Sequence, residues 1–332
     1  MFKITRTARN ALSSSQTVRM YRTSTVLHTP IPSALSHAPS APNARGRLPG
    51  GQVIGNEAAL QFVEGKRDAK RDIFSEFSLE GKCTVVSGGG GGLGLEIAQA
   101  VCEAGSVVHV FDMPPEPSST FKAVQKYVKA FGSSLEYHQM DVTNQKAVFE
   151  LCDKIGEKEG GIHGAVCAAA ILETYDCLEY PSAEFEKTMQ VNAGGVLYTS
   201  QGVARQMKKY NQAGSIAMIA SMSGSITNRD QHWVGYNASK SAVLQMARSM
   251  AAELGPDDIR VNCISPGHFE TPMTRKVFEQ NPGLKEKWES GSPMQRLGIH
   301  HELRGVAVWL LSSASSFCQG CDVKISGGYE TW

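Results

Sequence analysis

The segment from Lys82 to Gly94 constrains this chain more than any other. A short apolar and β-branched run, Cys83-Thr-Val-Val-Ser87, enters Gly88-Gly-Gly-Gly-Gly92-Leu-Gly94 and leaves it into Leu95-Glu-Ile-Ala-Gln-Ala-Val-Cys-Glu-Ala. The order reads as strand, glycine turn, helix. That geometry presents backbone N–H groups at a helix N-terminus to a pyrophosphate. Glycine is required where the backbone takes positive φ or lets a phosphate approach closely. A flexible linker fits poorly, because apolar segments flank the run with no polar spacer. A second strand, Val107-Val-His-Val-Phe111, ends at Asp112. An acidic side chain there, about 20 residues past the glycines, can accept from both ribose hydroxyls.

Apolar strands and helical stretches alternate along the rest of the chain. The expected strands are 83–87, 107–111, 135–139, 164–169, 215–220, 259–264 and 322–325. The expected helices are 92–104, 119–132, 145–158, 182–209, 234–254 and 300–313. This is the α/β pattern of a doubly wound parallel sheet flanked by helices. The chain has no internal repeat and no apolar run long enough to span a bilayer.

A second constellation lies downstream. Tyr236 and Lys240 are four apart, and Ser223 lies thirteen residues before the tyrosine. Residues four apart share a helix face. An ammonium there favours the phenolate and lowers the phenol pKa from its usual value of about 10. The tyrosine then becomes a proton-transfer group usable near neutral pH. Ser223 can hydrogen-bond the same substrate oxygen. The spacing alone is common on helices, so its weight comes from the glycine run that precedes it.

Gly88-x-x-x-Gly92-x-Gly94, Asn192, Ser223, Tyr236, Lys240 and Pro266-Gly267 occur in one order, at spacings that resemble the short-chain dehydrogenase/reductase family. The resemblance covers about Ser78 to Trp332. It implies a single-domain Rossmann fold that moves hydride between nicotinamide and a carbonyl or carbinol carbon. It implies Tyr236 as general acid/base, Lys240 on the nicotinamide ribose, Ser223 orienting the reacting oxygen, and Asn192 holding a water of the proton relay. It places Ser87, Gly88, Gly92, Leu93 and Gly94 at the pyrophosphate, Asp112 at the ribose, and Asp141 and Val142 at the adenine. Ala169, Pro266, Gly267, Phe269 and Thr271 fall near the nicotinamide. One position departs from the family. Cys167-Ala-Ala-Ala170 stands where an Asn-Asn-Ala-Gly motif is usual, and losing the first Asn puts the local sheet geometry in question.

The first 56 residues are different material. They hold seven Lys or Arg and no Asp or Glu, with abundant Ser, Thr, Ala and Pro. Met1 to Leu12 can form a basic amphipathic helix, the description of a mitochondrial transit peptide, with Arg19-Met-Tyr21 as a cleavage neighbourhood. An unstructured basic tail is the alternative. Residues 30–56 read as linker, and 57–77 as an extension with a short helix that packs on the core. The whole chain carries +1, so removing seven cations leaves −6 on residues 57–332. That sign excludes nucleic-acid binding by electrostatics. Eight cysteines fall mostly in core positions. Cys318-Gln-Gly-Cys321 has no second ligand pair, and none of the nine histidines sets up a metal motif, so no metal is expected.

The resemblance also places residues 228–232 beside the substrate. Asn228, Gln231 and His232 there would reward a hydroxylated substrate. The ending Ile325 to Trp332 and the run Ser221-Met-Ser-Gly resemble the fungal polyol and ketose branch, of the arabinitol 2-dehydrogenase and sorbose reductase type. That implies interconversion of a small polyol and its 2-ketose. Asp112 would repel a 2′-phosphate, and Gly91 stands where NADP-using relatives often carry Lys or Arg, so NAD(H) is expected over NADP(H). The family also implies a homotetramer built on helices 182–209 and 234–254. Two alternatives stay open: a mitochondrial 3-oxoacyl-[acyl-carrier-protein] reductase, and an inactive scaffold subunit. Residues 281–294 are either a substrate lid, with Trp288 as an apolar contact, or a plain surface loop.

Overall fold

Strands buried on both faces need apolar side chains pointing both ways, which is why they read as continuous runs. In the computed structural model, which describes residues 53–331 except 272, 273, 276, 277 and 280, these runs form one parallel sheet. Its strands are β1 (Cys83–Ser87), β2 (Val107–Asp112), β3 (Leu135–Gln139), β4 (Gly164–Cys167), β5 (Gly214–Ile219), β6 (Ile259–Pro266) and β9 (Asp322–Ile325). The order is β3-β2-β1-β4-β5-β6-β9. A small separate pair, β7 (Phe269–Glu270) and β8 (Gly298–Ile299), lies beyond β6. The chain thus winds outward from β1 in one direction and from β4 in the other. The crevice between β1 and β4, at the carboxyl ends of the strands, is where a doubly wound sheet binds ligands.

Alternation along the strands supplies a core layer on each face. Val85, Ile216, Met218 and Val261 face α4 (Gln145–Glu159), α6 (Gly195–Lys209) and α7 (Val234–Leu254). Val86, Ala217, Ile219 and Ile264 face α2 (Gly92–Glu103), α3 (Ser119–Lys129) and α9 (Arg304–Leu311). Each fully buried Val or Ile contributes about 1.5–3 kcal/mol, enough to fix the register of every strand.

The differences from the sequence expectation are local. The strand expected over 164–169 stops at Cys167, and the chain then turns along the sheet edge. Helix 182–209 is divided into α5 (Ser182–Met189), one π turn (Gln190–Gly194) and α6. Helix 300–313 is a 3₁₀ turn followed by α9. A helix, α1 (Gly55–Val63), begins inside the segment assigned to linker. It buries only Ala58 and leaves Leu60, Phe62 and Val63 exposed; the part of this extension tied to the domain is the 3₁₀ turn Ile73–Phe77, where the Glu76 carbonyl accepts from the Ser313 hydroxyl at 2.9 Å. The segment over 281–294 contains a helix, α8 (Leu284–Ser290). The basic N-terminal leader and its cleavage neighbourhood lie outside the described residues.

The Cys167 departure leaves the sheet intact. β4 pairs with β1 on one side and β5 on the other, Cys167 opposite Ser87 and Met218. The Cys167 Sγ lies 3.3 Å from the Ser200 Oγ of α6, a hydrogen bond that ties this strand end to the helix beneath it. Five cysteines are buried, and Cys177 and Cys321 are exposed. Cys318 and Cys321 bracket a turn held on Asn262, whose Oδ1 accepts from the Cys321 N–H at 2.9 Å. Among the described residues no helix is long and apolar enough to cross a membrane.

Candidate active site

The glycine turn is shaped by contacts that leave no space for side chains. Gly88 has φ +70°, and a Cβ there would lie 2.6 Å from the Ala169 nitrogen. A Cβ on Gly94 would lie 2.2 Å from the Gly88 carbonyl oxygen. Backbone faces backbone at both points, so neither can yield. Gly92 also has positive φ, at +53°, with open space beside it. The turn therefore leaves a bare backbone surface at the start of α2, beside the half-buried Leu93. Asp112 closes its far side: Oδ2 accepts from the Gly90 N–H at 2.7 Å and Oδ1 from the Met113 N–H at 2.8 Å. Each carboxylate oxygen keeps a lone pair for a further donor. Ser87 is fully buried, and its hydroxyl finds no partner among the described residues.

The next strand ends continue this edge. Asp141 is exposed after β3 and accepts from the Thr143 N–H, and Val142 is buried against Gly195. Pro266 ends β6, and a Cβ on Gly267 would lie 2.7 Å from the Ser326 Cα. Phe269 is buried in β7 opposite Gly298. Thr271 is held by Thr274, whose Oγ1 accepts from the Thr271 N–H at 2.8 Å.

Beside this groove, α7 delivers Tyr236 and Lys240. Its buried positions Lys240, Val243, Leu244, Ala247 and Ala251 form one stripe toward the sheet, which is why a charged residue sits in the core. The Lys240 ammonium donates to the Ile219 carbonyl at 2.8 Å, its one hydrogen-bond partner among the described residues. Burial lowers its pKa to about 8. A buried ammonium with one acceptor has two donors to spare, a cost that a ligand's oxygens would relieve. Gly224 lets the Ser223 turn rest on α7, since a Cβ there would lie 2.7 Å from the Lys240 carbonyl carbon. Ser223 is buried, and its N–H donates to the Ser221 Oγ at 3.1 Å.

Asn192, in the π turn, is fully buried. Its Oδ1 accepts from the Ile171 N–H at 2.8 Å. Its Nδ2 donates to the Ile171 carbonyl at 2.9 Å and to the Ser239 Oγ at 3.0 Å. Ser239 in turn donates to the Tyr236 carbonyl at 2.7 Å. Asn192 thus fastens the segment after β4 to the N-terminal half of α7. Both its amide hydrogens are committed, so its side-chain N–H groups cannot hold a relay water.

One electrostatic expectation is reversed. Among the protein's own groups the Tyr236 phenol is raised above its ordinary value by burial, with the Ser221 hydroxyl opposing. The Lys240 ammonium lies 5.7 Å from the ring centroid and donates to Ile219, and burial decides the direction.

The surroundings of Tyr236 also differ from the polar pocket expected. Trp233 is buried 6.1 Å from the Tyr236 ring. Behind it, His268 stacks on Trp288 at 4.1 Å, and Tyr329 meets His268 edge-on at 5.0 Å. Burial lowers His268 to a pKa of about 4, so its ring is neutral. Gln231 and His232 line a depression of about 300 Å³ together with Trp233, Tyr175, Cys177 and Asn237. The exposed His232 lies 3.4 Å from Asp176. Asn228 alone of the three is buried, and neither of its amide atoms has a partner among the described residues. Trp288 belongs to α8, which Lys287 ties to Asp230 at 2.7 Å, so the 281–294 segment packs over the site rather than standing free. Sequence reasoning missed Ser221, Trp233, His268 and Tyr329. Trp233, three before Tyr236, Ser221, two before Ser223, and His268, between Gly267 and Phe269, each stood beside a residue already singled out. Away from this edge the fold also brings together His109, Glu136 and His138, a group no spacing announced.

A family profile described as enoyl-(acyl carrier protein) reductase matches residues 89–330. A D-arabinitol 2-dehydrogenase (ribulose-forming) of Candida albicans is 36% identical over 79% of this chain and 97% of its own length. A sorbose reductase of Schizosaccharomyces pombe is 35% identical over 77% of this chain and 98% of its own. The crystal structure of a short-chain type dehydrogenase/reductase from Mycobacterium marinum superposes with a TM-score of 0.70 at 34% identity, covering 78% of this chain and 99% of that one. With its seven-stranded Rossmann sheet and its glycine turn, the chain belongs to the short-chain dehydrogenase/reductase family, oxidoreductases of the CH–OH group that use NAD or NADP.

Proposed function

We propose that this enzyme interconverts a small polyol and its 2-ketose with NAD(H), using Tyr236 as the acid/base. The carrying observation is the convergence of Ser223, Tyr236 and Lys240 at the end of β5, where the Ser223 turn rests on the Lys240 backbone. The likeness to the arabinitol dehydrogenase and the sorbose reductase supports the substrate class.

NAD, when bound, accepts or returns the hydride. The bare Gly88–Gly94 backbone, the unpartnered Ser87 hydroxyl and the Asp112 carboxylate fit its pyrophosphate and ribose. Lys240 would donate its spare N–H groups to the nicotinamide ribose. In the oxidative direction the Tyr236 oxygen takes the proton from the substrate hydroxyl, which requires the bound ligands to offset the burial that raises the phenol. Ser223 donates to that oxygen as it becomes a carbonyl. The Asn192 backbone carbonyl is left to hold the relay water, because the side-chain amide positions α7. The buried Asn228 amide offers a donor and an acceptor to substrate hydroxyls, and Trp233 offers an apolar face to the carbon chain.

Asp112 favours NAD over NADP, since it places negative charge where a 2′-phosphate would lie. The acid-free leader supports a mitochondrial matrix enzyme that loses its first few tens of residues, and the family supports a homotetramer. N-terminal sequencing of the native protein and its mass at micromolar concentration test these two.

Turnover with pentitols, hexitols and their ketoses tests the main reading. We expect NAD-dependent oxidation of at least one of arabinitol, xylitol, sorbitol or mannitol. Activity on acetoacetyl thioesters with none on these sugars would replace it with the acyl-carrier reductase. No turnover on either panel would leave the scaffold reading.

A further inference from the structure

We propose that His109, His138 and Glu136 form a binding site for a zinc-like divalent cation, with Glu159 orienting His109. The β2–β3 register places His109 opposite Glu136 and Phe111 opposite His138. Residues two apart on a strand share a face, so both histidines and Glu136 lie on the face covered by α4. The end of α4 brings Lys158 and Glu159 over them.

The spacing suits such a cation. His109 Nδ1 lies 2.9 Å from His138 Nε2 and 3.8 Å from Glu136 Oε2. Tetrahedral bonds of about 2.05 Å put neighbouring ligand atoms about 3.3 Å apart, so these two separations need to change by about half an ångström or less, and all three ligand atoms already lie within 4.8 Å of one another. His109 Nε2 lies 3.2 Å from Glu159 Oε1. A carboxylate is an acceptor only, so it fixes the proton on Nε2 and leaves the Nδ1 lone pair facing His138 and Glu136. That is the carboxylate–histidine arrangement that orients metal-ligating imidazoles. His138 meets a cation through Nε2 once its own proton rests on Nδ1. His109 is fully buried, whereas His138 and Glu136 are partly exposed, which leaves the fourth position to water. Imidazole and carboxylate together favour zinc over calcium or magnesium.

Lys158 now supplies the positive charge. Its ammonium contacts Glu136 and lies 3.2 Å from Glu159, and its side chain is half-exposed, so it can leave for solvent. A bound cation would replace it and clamp β2, β3 and α4 together, three residues before Asp112 on the same strand.

The full-length protein titrated with Co²⁺, followed by visible d–d absorption and by calorimetry with Zn²⁺, tests the site. We expect one ion per chain and a melting temperature that rises with zinc. His138→Gln, at a partly exposed position, should weaken binding by about tenfold or more, and Glu159→Gln by about tenfold. Lys158→Met, at an exposed position that leaves the fold unchanged, should strengthen it. Equal affinity in wild type and His138→Gln would place the ion elsewhere, such as on Cys318 and Cys321, and overturn the proposal. So would the absence of saturable micromolar binding, or a Lys158→Met protein that binds no tighter than wild type.

Discussion

On the β1–β2 side of the switch point the site is made of backbone. On the β5–β6 side it is made of side chains from five separate stretches. The glycine turn and Asp112 lie within 25 consecutive residues, and their geometry follows from close backbone packing and two N–H to carboxylate bonds. The other side gathers Asn192, Ser223, Trp233 with Tyr236 and Lys240, His268 and Trp288. It also holds the buried Asn228 and Trp288 polar atoms that have no hydrogen-bond partner among the described residues. Rigid backbone suits a constant ligand such as a dinucleotide. Unpaired side-chain groups suit the part of the ligand that varies between relatives, because a site built to hydrogen-bond hydroxyls rejects compounds lacking them.

The largest effect should separate chemistry from binding. Tyr236→Phe removes the proton and keeps the ring against Trp233. We expect turnover to fall by about 10²–10⁴-fold with NADH binding retained, measured by steady-state rates and fluorescence titration. Activity within tenfold of wild type would take the acid/base role from Tyr236.

A second pair of variants tests the rigidity of the cofactor side. Gly94→Ala drives a Cβ into the Gly88 carbonyl and should destabilise by at least the ~1–3 kcal/mol of overpacking, with loss of NADH binding. Gly91→Ala meets open space at an extended φ of −169° and should leave the melting temperature nearly unchanged. Equal melting temperatures for the two variants would show that the turn is not held by this contact.

Cofactor choice is the next largest. Asp112→Ala removes the charge facing the 2′ position and should move the NAD:NADP ratio of kcat/KM toward NADP by about tenfold or more. An unchanged ratio would shift the discrimination to another residue.

The smallest effect is on pH. Burial holds His163 and His268 at pKa values of about 4, below the usual 6.5. The unfolded chain therefore takes up protons first as pH falls. The stability associated with the neutral rings is complete above about 6.5 and is lost progressively toward 4. The His163 Nδ1 accepts from the Cys83 N–H at 3.2 Å, a bond that requires its lone pair. Melting temperatures should decline across that window, and less steeply in a His163→Asn variant. A flat profile would show that both rings protonate without cost.

The sequence by itself determined the sheet, the cofactor edge and the identity of the Ser223–Tyr236–Lys240 set. Those signals are local: both-face burial makes strands read as apolar runs, close backbone contact demands glycine, and four-residue spacing puts Tyr236 and Lys240 on one face. Only the tertiary structure decided what surrounds them. The π turn that makes Asn192 a fastening for α7 depends on Ile171 and Ser239, 21 residues before it and 47 after it. The direction of the Tyr236 pKa depends on its burial among β5 and α7 and on the Ser221 hydroxyl beside it. The aromatic wall joins Trp233, His268, Trp288 and Tyr329. Likewise His109, Glu136, His138 and Glu159 meet only because β2, β3 and α4 pack together. Such groups have no period along the chain, since their neighbours are set by strand order and helix packing rather than by sequence distance.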